Sequence, residues 1–151
     1  MKYTIRIIVF FQLLSFSSCQ REIKDKIFAK LQLDSAKQDS CILVLNNITD
    51  FNWDTVYIVE PSVTLDELNK VLGFYYPFWD DIADRIIFTF ERRVVYHEDK
   101  FPYSDVPTNE HVYFSFDKDT GDYIKLANKN AIFTAIRSQS YDYITYKLIR
   151  K

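Results

Sequence analysis

Glycine is nearly missing from this chain. Only Gly73 and Gly121 occur in 151 residues, where ordinary usage of about 7% would supply about ten. A dinucleotide fingerprint needs three closely spaced glycines, a P-loop needs two separated by four residues, and a Gly-x-Ser-x-Gly elbow needs one on each side of its serine. Two distant glycines make none of these, so such nucleotide cradles are excluded. An excess of one charge is missing too. Nineteen Lys and Arg face twenty-one Asp and Glu, a net charge of −2, too balanced for a nucleic-acid binder. Cysteine is limited to Cys19 and Cys41, too few for a disulfide framework.

Aromatic side chains, by contrast, are abundant: thirteen Phe, eleven Tyr and two Trp. With 48% hydrophobic and 26% charged residues, the composition is that of one folded domain able to bury a core, not of a disordered chain.

The first residues read as an address. Lys2 and Arg6 flank the start of an apolar run from Ile7 to Phe16, followed by Ser17-Ser18-Cys19. A basic start, a short apolar stretch and small residues form a secretory signal, and the run falls short of the roughly 20 residues that cross a bilayer. The Cys after two serines resembles the lipobox of bacterial lipoproteins, although Phe16 stands where that pattern prefers Leu. The resemblance implies that Cys19 becomes the first mature residue and carries lipid on its thiol and amine. An ordinary signal-peptidase site fits less well, wanting small residues at −1 and −3; a buried strand with an incidental Cys is the plain alternative. With Cys19 lipidated, Cys41 is the one remaining thiol, a small buried hydrophobe; otherwise a Cys19–Cys41 bridge is conceivable.

The expected organisation is a signal at 1–18, an amphipathic tether at 19–38 and one domain at 39–151. In the tether Ile23, Ile27 and Leu31 recur every four residues beside Phe28, the stripe of a helix that lies on a membrane or packs on the domain. From Ser40 the period becomes two. Strands are expected over Cys41–Ile48 and Thr55–Glu60, with a turn between them in which Asp54 caps amides and Trp53 packs under the next helix. Thr64-Leu65-Asp66-Glu67 is a capping box, and Gly73 stands where the helix it opens should end. Residues 85–97 lack Gly, Pro, Asn and Asp and suggest one long bent strand, with a surface loop over 98–110. His111–Phe116 and Asp122–Leu126 flank a hairpin signal at Asp117–Gly121. Strands at Ala131–Ile136 and Tyr143–Ile149 would complete a meander. The expected class is α+β: a mostly antiparallel sheet of six or seven strands with one main helix packed on it.

No motif fixes a reaction. Asp117, Asp119 and Asp122 miss the EF-hand spacing, with Gly121 at position five rather than six and Asn128 at twelve. Asp119-Thr120-Gly121 matches an aspartic-protease tripeptide without the apolar strand that should directly precede it. His97 and His111, the two histidines, lack metal-ligand spacing, and Asp80, Asp81 and Asp84 read as solvated acids of a helical turn rather than a split-pKa pair. No cofactor or metal is expected. Phe74-Tyr75-Tyr76-Pro77-Phe78-Trp79 is too apolar for one side of an element to bury, so Tyr75, Tyr76, Phe78 and Trp79 are the candidate partner-binding residues; a loop folded over the core is the alternative.

Phe51-Asn52-Trp53-Asp54 leading into Thr55–Pro61, the Thr64-capped helix ending Val71-Leu72-Gly73-Phe74, and Asn130–Ala135 together resemble a family of small uncharacterised bacterial lipoproteins. The match covers roughly residues 40 to 136. Ser62 stands where family members often carry Tyr. The resemblance implies structural motifs and no assigned activity. The functional expectation is a non-enzymatic, lipid-anchored envelope protein facing the periplasm or cell exterior, bound to the membrane at Cys19 and to a protein partner through the aromatic segment. The other expectation is an inhibitor or immunity protein using Asp80, Asp81, Glu98 and Asp99.

Overall fold

The computed structural model describes residues 22–35, 38–100, 110–116, 121–140 and 143–151. The chain is α+β and mostly sheet, as its alternating pattern implies, but the strands divide between two sheets of four. In the first sheet, β1 (Ser40–Val44) pairs with β7 (Ile132–Ser140), β7 with β8 (Tyr143–Arg150), and β8 with β5 (Glu110–Phe114). The β5–β8 pair is parallel and the others antiparallel. In the second sheet the order is β4 (Arg93–Lys100), β3 (Asp84–Phe90), β2 (Thr55–Val59), β6 (Tyr123–Ala127), all antiparallel.

The two sheets share one core. Val56, Ile58, Ile86, Phe88, Ile124 and Leu126 from the second sheet pack with Leu43, Phe133, Ala135, Tyr146, Leu148 and Phe114 from the first. These positions alternate along each strand, which is how one sheet face is buried. Trp53 belongs here, edge-on to Phe88 at 5.0 Å, and its indole N–H donates to Thr49 at 2.8 Å. It therefore packs between the sheets, not under the helix that follows β2.

Helix α1 (Ile23–Asp34) is part of this core rather than a tether. Ile23, Ile27 and Leu31 are fully buried and Phe28 meets Tyr146 edge-on at 5.4 Å, so the stripe packs on the domain. Each such side chain contributes about 1.5–3 kcal/mol of burial, more than a bare surface helix of this length retains.

The expected long strand over 85–97 is two strands joined by Glu91-Arg92. Both turn residues lie in the left-handed region, with φ 49° and 62°, which is the conformation that a two-residue hairpin turn demands. No Gly or Asn announces it. The Asp54 carboxylate stabilises it instead, accepting the Glu91 N–H at 2.7 Å and the Thr89 hydroxyl at 3.3 Å. Asp54 does cap an amide, then, but across the sheet. Strand β4 continues through Glu98 and Asp99, so these acids are not in a surface loop. The apparent Asp117–Gly121 hairpin joins β5 and β6, which lie in different sheets; Asp117 and Asp119 fall outside the described residues.

Helix α2 (Leu65–Leu72) lies on the outer face of the second sheet. Its Leu68 and Leu72 pack with Tyr57, Val59, Val63, Tyr76 and Ile87, a second, smaller core.

Candidate functional site

The local sequence after β2 delivers an aromatic loop to one end of the second sheet. Thr64 caps α2 reciprocally: its hydroxyl accepts the Glu67 N–H at 3.4 Å and the Glu67 carboxylate accepts the Thr64 N–H at 2.9 Å. Gly73 ends the helix at φ +76°, a conformation that lets the chain reverse over the sheet. The Asn69 side-chain oxygen then accepts the Tyr76 N–H at 2.7 Å. That bond turns Tyr76 inward, where it is 0% exposed, and leaves Tyr75 69% exposed beside it.

Beneath the loop, strands β3 and β4 bring together three polar side chains, Arg85, His97 and Asp99. Arg85 and Asp99 are register partners; the Arg85 Nε lies 3.3 Å from Asp99 Oδ2 in an ion pair that is nearly sealed from solvent. Arg85 also donates to the Ala83 carbonyl at 3.1 Å, and its guanidinium sits 4.0 Å under the Trp79 ring. His97 Nδ1 lies 4.0 Å from Asp99 Oδ1, and Phe78 stacks on the His97 ring at 4.2 Å and 16°. The Tyr76 hydroxyl, Arg85 Nε and Nη2, His97 Nδ1 and Asp99 Oδ1 have no hydrogen-bond partner among the described residues. Burial pushes the Asp99 carboxyl above its ordinary range, with Arg85 and then His97 opposing. Burial and the Asp99 charge push the Tyr76 phenol upward. Chemically, this is a neutralised charge pair beneath aromatic rings: it fixes the loop from below.

A second polar anchor lies on the other face of β4. Buried Glu98 accepts the Ile23 N–H at 2.7 Å and the Tyr96 hydroxyl at 3.1 Å, so it neutralises the positive start of α1. Lys24 reaches Asp84, the first residue of β3, at 4.0 Å.

Among the residues singled out by sequence, Phe78 is 45% exposed, Trp79 half-buried and Tyr76 entirely internal. Tyr76 is thus an anchor for the loop and presents no surface of its own. Asp80 and Asp81 are exposed, and Asp81 accepts the Trp79 indole N–H at 3.0 Å. They lie on a turn without helix, and Asp84 leaves it to open β3. Because Glu98 and Asp99 are engaged inside, only Asp80 and Asp81 of the four acids expected of an inhibitor face solvent. His97 and His111 lie on strands of different sheets, and no three His, Cys, Asp or Glu gather as a metal group among the described residues. Cys19 falls outside the described residues. A shallow depression of about 390 Å³ borders Trp79 and Ile82 against the Pro61–Asp66 turn.

Sequence reasoning missed Ile82, which is 59% exposed and left-handed at φ 59°, and the Arg85–Asp99 pair. The available signal was Arg85 itself: a charged residue alternating with Ile87 on a strand face must find a partner once that face is covered.

No family model, curated protein or solved structure matches the chain.

Proposed function

We propose that this protein is a lipid-anchored cell-envelope module of the kind that its lipobox-like Ser17-Ser18-Cys19 and its resemblance to small bacterial lipoproteins imply, and that it acts by binding rather than catalysis. The aromatic loop is its contact surface. One observation carries this: Tyr75 and Phe78 are held 69% and 45% exposed on a loop whose intervening Tyr76 is locked inside. A loop fixed from beneath loses little entropy when it binds, which is the advantage of a preorganised contact. The buried Arg85–Asp99 pair beneath it serves this positioning.

The test combines two measurements on the native protein. Mass spectrometry of the mature N-terminus should find lipid on Cys19; an unmodified Met1 or a free Cys19 ends the anchored reading. A photo-crosslinking residue in place of Tyr75 should give discrete adducts in cells, while the same group in place of exposed Lys129 gives none. Equal labelling at both positions removes the case for the loop as contact surface.

A further inference from the structure

The aromatic loop and the start of α1 lie at the same end of the second sheet. Ile23, the first residue of α1, is held by Glu98 at 2.7 Å. Lys24 faces Asp84 at 4.0 Å, Asp84 stands two residues after Ile82 in sequence, and Arg85 carries the Trp79 ring. Cys19 precedes Ile23 by four positions. An extended chain covers at most about 3.3–3.6 Å per residue, so the α-carbon of Cys19 cannot lie more than about 14 Å from that of Ile23. A lipid on Cys19 therefore brings this end of the domain to the membrane.

Beside the exposed Asp80 and Asp81, the loop at this end presents apolar and aromatic side chains. Ile82 is 59% exposed and Phe78 45%, and Trp79 and Tyr75 are rings with polar tips, the side chains that settle at a membrane interface. Ile82 is a β-branched residue at φ 59°, a strained conformation for such a side chain. In water it adds an unburied side chain to that strain; in an apolar phase the side chain recovers burial energy. Strain at an exposed apolar residue is a mark of a contact site.

We infer that the loop from Tyr75 to Ile82 docks on the lipid bilayer to which Cys19 anchors the chain, as a second attachment that fixes the orientation of the domain. The inference rests on the lipid-anchor reading and names the loop's counterpart. Lipid on both the thiol and the amine of Cys19 already holds the chain at the surface, so what the loop adds is a fixed orientation of the domain. Exposed Asp80 and Asp81 beside the apolar side chains select a zwitterionic surface over an anionic one.

The experiment uses mature protein extracted from membranes and reconstituted in phosphatidylcholine vesicles brominated on their acyl chains. Trp79 reports the loop, and Trp53, 4% exposed in the core, is an unquenched internal reference. Bromine should remove Trp79's share of the emission. Phe78→Trp should enlarge the quenched share, and Lys129→Trp, at the opposite end of the sheet, should not. Added phosphatidylglycerol should weaken the quenching. Protein that carries lipid on Cys19 and floats with vesicles, yet shows no quenching of Trp79 or of Phe78→Trp, overturns loop docking and leaves the anchor standing; a protein partner then becomes the loop's occupant. Equal quenching of Phe78→Trp and Lys129→Trp also overturns it. Absence of lipid on Cys19 overturns both.

Discussion

Arg92 donates to the carbonyl of Gly73 at 2.8 Å, so two left-handed residues that end different elements hold each other. Gly73 closes α2 at φ +76° and Arg92 closes the β3–β4 turn at φ 62°. A Cβ at Gly73 would meet Arg92 Nη2 at 3.6 Å, an ordinary contact. The expected cost of Gly73→Ala is therefore conformational, about 1–2 kcal/mol. Glu91→Gly should act oppositely and stabilise by up to about 1 kcal/mol, since it relieves the same strain while keeping the N–H that Asp54 accepts. Urea unfolding of the two variants checks the opposite signs.

Tyr76 separates packing from polarity. Tyr76→Ala should cost about 3–5 kcal/mol, as large buried rings do. Tyr76→Phe deletes only a buried hydroxyl that lies beside the Asp99 carboxylate without a well-formed hydrogen bond, so it should change stability by no more than about 1 kcal/mol. A Phe variant as damaging as Ala would mean the hydroxyl has a partner that holds the loop.

Burial raises the Glu98 carboxyl above its ordinary 4.5, against the Ile23 N–H and Lys24. The folded state thus binds this proton more tightly than the unfolded one. Its contribution to stability is complete below 4.5 and is lost as pH rises through the folded-state value. Thermal melts should show wild type losing stability from this group between that pH and neutrality, with a flatter profile for Glu98→Gln. Superimposable profiles would show that Glu98 contributes no such dependence.

Ile82→Asn should stabilise the isolated domain by about 1 kcal/mol, because Asn tolerates the left-handed region. The same change should weaken loop docking on phosphatidylcholine. A gain in melting temperature accompanied by undiminished quenching would show that the apolar side chain has no role at the membrane.

Elements punctuated by their own residues were legible. Thr64, Glu67 and Gly73 bound α2, and the four-residue recurrence of Ile23, Ile27 and Leu31 marked α1. The β3–β4 turn was not, because its stabilising partner is Asp54, far away in sequence. Local turn chemistry also misled at Asp117–Gly121, where adjacent strands part into different sheets. The aromatic segment was legible as a unit, but not which rings face inward: that is decided by Asn69 and by Arg85 and Asp99, residues brought together only by the fold.

The parallel pairing of β5 with β8 has a consequence for biosynthesis. Strand β8 comes last in the described chain, yet it is an inner strand of its sheet, and β5 has no other strand neighbour among the described residues. Until Tyr143–Arg150 has left the ribosome, Phe114 lacks the strand that brings it into the core. Pairings this distant are slow to form, so completion of the first sheet waits on β8.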